Sequence, residues 1–422
     1  LLCTSLSAVY AAGRELAGMP AVLIRPKPPR SGKRIFLEKF PALWARMPFL
    51  RKVSFRNLFR YKSRFFLMLF GIGGCTALLL TGSGLKYAIS AVLDEQYGEI
   101  FTYSAMVSIG EDASDEDRQI ADDTVRSLDI YDGHIYAVQK QKDVMFSGKT
   151  EEAYIFCPFD SLNGYISLIN TQSGRDAALY DDGVVITEKL AVMLGARPGD
   201  NIRIAGAASD VTVYAVVKNH IGHYVYMSPT VYAALFGEAE PDTMLIRTTS
   251  VPDKEGRNSV TEKLIACDAV VSAVFMKDGL SNFFELMSSL DLIVAVIIIF
   301  VGALTFVILL NLANINITER RHELATIKVL GFFDGEVGTY VYRENTITTV
   351  LGVLLGLFAG IFFERFVIVT AEVSSVMFMR DLTLSCFLWT VLLMVLFVLI
   401  VDVIIYFRLK RIDMASSMKA VE

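Results

Sequence analysis

The sequence predicts a helical membrane protein with four transmembrane helices and a mixed α/β extracytoplasmic domain between the first and second spans. Two observations carry this prediction. Hydrophobic residues make up 53% of the 422 residues and the mean hydropathy is +0.47, which is too apolar for an ordinary soluble protein. Acidic residues are concentrated in one interval, Ser90–Leu290, which holds 31 acidic and 15 basic residues. Composition therefore favours a membrane protein with an acidic domain on one side, and it predicts no nucleic-acid partner.

Four apolar segments are long enough to cross a bilayer, which takes roughly 18 or more apolar residues per helix. They are Phe65–Leu85, Leu292–Leu310, Asn345–Phe363 and Leu382–Phe407. The predicted organisation is a series of transmembrane helices at 65–85, 292–311, 345–363 and 382–407, an extracytoplasmic domain at 86–291, a cytoplasmic connection at 312–344 and an outer loop at 364–381.

Basic residues set the predicted orientation. Between Arg25 and Arg64 there are thirteen Lys or Arg residues and one acidic residue, Glu38. More basic residues follow the last span, in Phe407–Arg411. Because short basic flanks stay on the cytoplasmic side, both ends of this chain are predicted to be cytoplasmic and the protein is predicted to lie in the cell membrane.

The two basic ends are assigned separately. The segment 31–64 mixes Trp and Phe with Arg and Lys, which is typical of a helix lying in the lipid headgroup region; a solvated basic linker is the alternative. Residues 408–422 are predicted to form a cytoplasmic tail.

The acidic interval carries strand and helix patterns. In "DGVVITEKLAVMLGARPGDNIRIAG" a short apolar strand precedes Thr187, the predicted N-cap of a helix that ends at Gly195. A turn at Pro198, Gly199 and Asp200 then leads to an alternating strand. "DVTVYAVVK" predicts another strand, and the residues before the second span predict a helix, a strand and a further helix. We therefore expect a folded domain here.

Motifs for catalysis or cofactor binding are weak, so the chain is predicted not to be an enzyme and to hold no cofactor. "SGKT" at Ser147–Thr150 resembles the end of a phosphate-binding loop, but position 143 is Asp where the motif requires Gly. His220 and His223 could be imagined as metal ligands. A spacing of three on a strand points them to opposite faces and no third ligand is close in sequence, so a structural turn is favoured.

Two cysteines, Cys157 and Cys267, fall in the predicted extracytoplasmic domain and could form a disulfide. Their spacing does not decide the pairing, and both outcomes stay open.

Small residues form a stripe along the third predicted span. Gly352, Gly356 and Gly360 recur every four residues, which places them on one helix face and lets a second helix backbone approach closely. None of the four predicted spans carries a series of ionisable residues along its middle; Asp402 lies near the inner end of the last one. That pattern disfavours an ion-coupled carrier.

A charged segment, Thr318–Gly331, connects the second and third predicted spans. Thr318 is a predicted N-cap, Lys328 lies in the last turn and Gly331 provides the stop. Such a short amphipathic helix can insert into a groove on a soluble partner, whereas a solvated connector is the alternative. The residues singled out between the cap and the stop are Glu319, Arg320, Arg321, Glu323, Leu324 and Ile327.

The same region resembles a known family. "NLANINITERRHELATIKVLGFFDGEVGTYVYRENTITTVLGVLLGLFAG" resembles the signature region of FtsX-like ABC transporter permeases, a group that includes MacB, the lipoprotein-releasing permeases and the bacitracin-resistance permeases. The order of one span, a large exterior domain and three more spans is also similar. "ITEKLAVMLGARPGDNIRI" resembles part of the exterior domains of MacB-like members. The resemblance covers Val53–Glu422.

This resemblance implies that Thr318–Gly331 is a coupling helix that docks on a separate ABC ATPase, which binds the ATP. It implies that ATP-driven motion passes through the bilayer to the exterior domain for export or extraction of a peptide, lipid-linked or drug-like substrate. The alternative is an FtsX-type scaffold that regulates a cell-wall hydrolase. A second permease module or protomer is also expected, and residues 1–30 resemble the end of a preceding module.

Overall fold

The computed structural model describes residues 62–238, 240–319, 329 and 334–410, with six positions among residues 5–13. The predicted preceding-module end at 1–30, the basic segment 31–64 and the tail 408–422 lie wholly or largely outside these residues. The chain forms two compact units, of which one holds Gly71–Asn316 and Gly352–Ile405.

The elements alternate between long helices and short strands. In chain order they are α1 Lys62–Glu95, a π-helix Gln96–Ile100, β1 Ala105–Ile109, α2 Asp115–Arg126, β2 Tyr131–Phe146, β3 Lys149–Pro158, β4 Gly183–Thr187, α3 Glu188–Leu194, β5 Asn201–Ile204, β6 Val211–Val217, β7 Tyr224–Tyr226, α4 Pro229–Phe236, β8 Thr243–Thr248, α5 Lys254–Ile265, β9 Val270–Phe275, α6 Met276–Glu319, α7 Asp334–Ala371 and α8 Leu384–Lys410.

Within the described residues, three helical segments are long and apolar enough to cross a membrane: Phe65–Ile100, Thr346–Ala371 and Leu384–Phe407. They correspond to the first, third and fourth predicted spans. The second predicted span lies within α6, where the apolar helix is the shorter Ala295–Asn311. Helices of sufficient length and apolarity are therefore present at the first, third and fourth predicted spans. The second predicted span is not confirmed.

Two of these helices continue past the predicted spans. The first predicted span ends at Leu85, whereas α1 and the π-helix run to Ile100. The third predicted span ends at Phe363, whereas α7 runs to Ala371. Both extensions are partly polar, so an apolar-run criterion misses them.

A mixed α/β domain lies between α1 and α6, as the patterns predicted. Six of its nine strands pair in a closed ring, in the order β2, β5, β6, β4, β7 and β3, because β3 pairs both with β7 and with β2. The remaining strands extend from β2 as an open sheet in the order β8, β1 and β9. The 16-residue strand β2 serves both parts, since its first half pairs with β8 and its second half with β3.

Local signals in the sequence match local structure in this domain, with one difference. Gly195 ends α3 in the left-handed conformation at φ 81°, where glycine carries no side-chain penalty. Thr187 occupies the predicted N-cap position, but its side chain makes no capping bond. Its hydroxyl instead accepts the backbone N–H of Tyr224 at 3.1 Å. Thr187 therefore ties β4 to the start of β7.

The phosphate-loop resemblance at Ser147–Thr150 has a structural explanation. Ser147 and Gly148 form the turn between β2 and β3, with φ values of 50° and 80°. Two consecutive positive φ values are typical of a two-residue hairpin turn. Lys149 and Thr150 begin β3, so this segment is a strand connection.

The two cysteines of the domain lie in different cores. Cys157 is buried among strands of the closed ring, and Cys267 is buried where α2 and α5 cover the open sheet. Both are free thiols. The disulfide left open by the sequence is therefore absent from this structure.

Candidate functional site

The predicted coupling segment is described only at its start. Thr318 and Glu319 are the last residues of α6 and are helical. The remaining predicted coupling residues lie outside the described part of the chain: Arg320, Arg321, Glu323, Leu324, Ile327, Lys328 and Gly331.

The glycine stripe of α7 lies against α1. A methyl group placed on Gly356 would stand 2.5 Å from both the Gly73 carbonyl oxygen and the Thr76 Cβ. One placed on Gly360 would stand 2.9 Å from the Leu80 side chain. On the other helix, a methyl group on Gly73 would stand 3.3 Å from the Gly352 carbonyl oxygen. The two backbones thus touch at positions where only glycine fits.

Where α1 leaves the apolar region, its last residue enters a polar cluster. The Glu95 carboxylate accepts a hydrogen bond from Lys218 Nζ at 2.9 Å and lies 3.1 Å from His220 Nε2. The hydrogen bond with Glu95 raises the pKa of the Lys218 ammonium above its ordinary value. Lys218 and His220 directly follow β6, so this contact joins the closed ring of strands to α1.

The π-helix adds a second set of bonds. Gln96 is fully buried and donates from Nε2 to Asn219 Oδ1 at 2.8 Å, while its Oε1 accepts the His220 backbone N–H at 2.7 Å. Asn219 in turn donates to the carbonyls of Ile221 and Gly222. A single amide side chain therefore holds the loop after β6 against the end of α1.

The connection between α7 and α8 pairs with the same loop. Met377 donates its N–H to the His220 carbonyl at 2.8 Å, and Gly222 donates to the Ser375 carbonyl at 2.8 Å. His220 Nδ1 lies 3.0 Å from the Met377 carbonyl oxygen. The two ring nitrogens of His220 therefore face two different elements, the end of α1 and the connection between α7 and α8.

An ion-pair cluster fastens α3 to the end of α7. Lys189 Nζ donates to Glu372 Oε2 at 2.6 Å, and Arg380 Nη2 lies 3.3 Å from the same oxygen. The Glu372 side chain is only 3% exposed and that of Lys189 only 11%. Removing one partner would leave a charge in a site from which water is largely excluded, which is costly.

We call these groups the junction: the end of α1, the loop after β6, Lys189 of α3 and the connection between α7 and α8. Its polar residues are Glu95, Gln96, Lys189, Lys218, Asn219, His220, Glu372 and Arg380. Apolar packing continues beneath it, where Val92 and Ile368 meet Val376 and Phe378. The α/β domain is thus attached to the apolar helices by side chains as well as by the chain itself.

Sequence reasoning missed the junction. Its residues come from four separate stretches, and none of them forms a motif by spacing. The one usable signal is polar residues directly after an apolar run, as in Glu95 and Gln96, which is also what a solvated helix end looks like.

No group of three or more potential metal ligands occurs among the described residues. His220 is engaged with Glu95 and Met377, and burial lowers the pKa of His223. Both histidines lie in the loop between β6 and β7.

A cleft of about 400 Å³ opens elsewhere on the α/β domain, along the long connection between β3 and β4 and the start of α4. Phe159, Leu162 and Leu179 contribute apolar surface, and Asp160 and Asp176 contribute carboxylates. The Arg247 guanidinium lies beside Gly164, which also lines this cleft.

The class of protein is a membrane protein whose apolar helices are bonded to a folded domain through the junction. Residues 295–413 match the family model described as FtsX-like permease C-terminal. This match confirms the resemblance to FtsX-like permeases for that part of the chain.

Part of this chain is similar to two solved structures, each over nearly its whole length. One is the periplasmic region of MacB from Actinobacillus actinomycetemcomitans, with 14% identity over 44% of this chain and 94% of that chain and a TM-score of 0.29. The other is the extracellular domain of the noncanonic ABC-type transporter YknZ from Gram-positive bacteria, with 14% identity over 41% and 98% and a TM-score of 0.28. No curated protein matches the chain.

Proposed function

We propose that this chain is the permease subunit of an ABC transporter and transmits the motion of a separate ATPase to an extracytoplasmic domain. The family match over residues 295–413 supports the permease class. In this proposal Leu292–Leu310 completes a set of four crossings, both ends of the chain are cytoplasmic, and ATP is bound by the partner. A second permease module or protomer completes the assembly.

The observation that carries force transmission is the junction. A domain that only hung from two flexible connections would not follow a movement of the helices. Here Glu95 at the end of α1 and Glu372 near the end of α7 both bind basic residues of the α/β domain. A tilt of either helix would therefore be passed to the α/β domain through these two short ion pairs.

In this proposal the ATPase binds the charged segment Thr318–Gly331 on the cytoplasmic side. It connects α6 to α7, so a partner that gripped it would act on both helices. Its charged residues and its apolar positions are those that helix-in-groove docking requires.

A reconstituted complex tests the coupling. The full chain is purified from its native membrane with its associated ATPase, and stimulated ATP hydrolysis is compared with that of a variant carrying Glu319→Ala, Arg320→Ala and Glu323→Ala. We expect the variant to insert normally and to lose stimulation by about tenfold or more, as for a lost docking contact of a few kcal/mol. A matched control replaces three exposed charges of the α/β domain, Arg203, Asp210 and Glu238.

Unchanged stimulation in the coupling variant, with the ATPase still bound, would overturn the role of this segment. A complex that contained a cell-wall hydrolase and moved no substrate would favour the FtsX-type scaffold. The proposal of export or extraction would then be wrong, whereas the proposal that Thr318–Gly331 binds an ATPase would be unaffected.

A further inference from the structure

One carboxylate lies inside the contact between α1 and α7. Glu364 is 3% exposed and falls within the candidate span Thr346–Ala371. The sequence placed it one residue beyond the predicted end of the third span, in the outer loop. Since α7 continues to Ala371, Glu364 is a membrane-span residue, and such residues need a partner or a function.

Glu364 continues the glycine stripe. Buried positions on α7 recur every four residues, at Gly352, Gly356, Gly360, Glu364 and Ile368. The α1 residue opposite Glu364 is Gly84. A methyl group on Gly84 would stand 2.9 Å from Glu364 Cγ, 3.2 Å from Glu364 Oε1 and 2.8 Å from the Leu382 side chain. The carboxyl group is therefore pressed against a helix backbone.

Few groups near Glu364 could compensate a negative charge. Among the described residues no basic side chain forms an ion pair with it; Arg365 on the same helix and Asp381 in the following connection act only through longer-range electrostatics. The hydroxyls of α1 closest in sequence to Gly84 have other partners: Thr81 donates to the Ala77 carbonyl, and Ser83 contacts the Leu80 carbonyl and the Thr390 hydroxyl.

The two protonation states of this carboxyl group have different needs. An ionised carboxylate requires water or several donors, and burying it without them is strongly unfavourable. A neutral carboxylic acid carries no charge, so burying it is much less unfavourable, and it has the shape of an amide. The close approach of Glu364 to Gly84 is compatible with the neutral form.

We propose that Glu364 is a proton-binding site in the α1–α7 contact and that its proton keeps the two helices packed beside Gly84. Release of the proton draws water to the carboxylate and separates the helices at this level. Glu364 lies two helical turns before Glu372, so separation of the helices at Glu364 also shifts Glu372 in the junction. The proton thereby acts on the helices directly, independently of the ATPase in the proposed function.

Cys386 provides a native reporter of this contact. Its thiol is buried, and its Sγ lies 3.8 Å from the carbonyl oxygen of Ser83, the neighbour of Gly84. Separation at Gly84 should expose it to a membrane-permeant maleimide. The experiment measures the labelling rate of Cys386 by peptide mass spectrometry, using the full chain in lipid nanodiscs from about pH 5 to about pH 9.

The comparison variant is Glu364→Gln, which keeps the shape of the neutral acid and retains every other titratable group. Dividing the wild-type rate by the Glu364→Gln rate at each pH removes the titration of the thiol itself. We expect a ratio near one at the acid end that rises at least about fivefold at the alkaline end, equivalent to about 1 kcal/mol of packing. Cys157, in the core of the closed ring, should show a constant ratio in the same samples.

A ratio near one at every pH would overturn the proposal. Gly84→Ala provides a second test, because its methyl group separates the helices without changing protonation. It should raise Cys386 labelling at acid pH as well, and slow labelling of this variant at every pH would contradict the proposed packing of the two helices at Gly84. Glu99→Gln, an exposed change at the π-helix, should behave as wild type.

Discussion

Lys189 of α3 and Glu372 at the end of α7 form a largely buried ion pair with a nitrogen–oxygen distance of 2.6 Å. They are 183 positions apart in the chain and join the α/β domain to an apolar helix. Replacing Lys189 by Met should destabilise the junction by roughly 3 kcal/mol, because Glu372 is left buried with only the longer contact to Arg380. The double variant Lys189→Met and Glu372→Leu should recover part of that loss.

Hydrogen exchange of the connection 372–383 in the full chain measures this effect. The matched control is Arg203→Met, which breaks an exposed pair with Asp210 and should change stability by only about 0–1 kcal/mol. Additive effects of the two junction replacements would contradict a direct bond between Lys189 and Glu372.

Gly356→Ala should separate α1 from α7. The added methyl group would meet backbone and Cβ atoms of α1 at 2.5 Å, and these cannot move aside as a flexible side-chain end could. We expect a loss of roughly 2 kcal/mol or more in thermal unfolding of the reconstituted protein. Gly74→Ala is the control, since nothing lies within 4 Å of its methyl position and alanine favours the helix. Equal stability of the two variants would contradict close packing at Gly356.

His134 should make the α/β domain sensitive to acid. Its Nε2 lies 2.8 Å from Asp122, and burial lowers the pKa of His134 more than this carboxylate raises it. A depressed pKa in the folded state means that stability is present above the ordinary value of about 6.5 and is lost as pH falls through the folded-state value. Exchange of α2 amides should accelerate between about pH 7 and pH 5 after correction for the intrinsic exchange rate.

The variant His134→Gln tests that assignment. It removes the titrating group while keeping a donor toward Asp122, so its corrected exchange should depend much less on pH. An identical pH dependence in both proteins would assign the effect to another group.

Cys157 should be a slow-reacting thiol. Burial raises its pKa to about 12, so very little thiolate is present near neutral pH. In non-reducing peptide analysis, Cys157 and Cys267 should both appear as free thiols, and Cys157 should react with maleimide only after unfolding. A peptide linking the two cysteines would contradict their placement in separate cores.

Much of the local structure could be predicted from the residues. The apolar runs identified three spanning helices, and the pattern around Gly195 identified a strand, a helix and a second strand in the right order. These features succeed because they depend on residues close in sequence. The helices α1 and α7 extend beyond the apolar runs, because their polar last turns are stabilised by partners distant in the chain.

The residues alone indicate which segments are apolar enough for a bilayer, where the acidic α/β domain is inserted and which face of α7 carries the glycines. Each of these features depends on composition and on the spacing of residues close in sequence. The folded chain is needed to show that Glu95 meets Lys218 and His220, that Lys189 meets Glu372, and that Glu364 lies against Gly84. Those pairings depend on how two helices and a ring of strands close on one another, and no short stretch of residues contains that information.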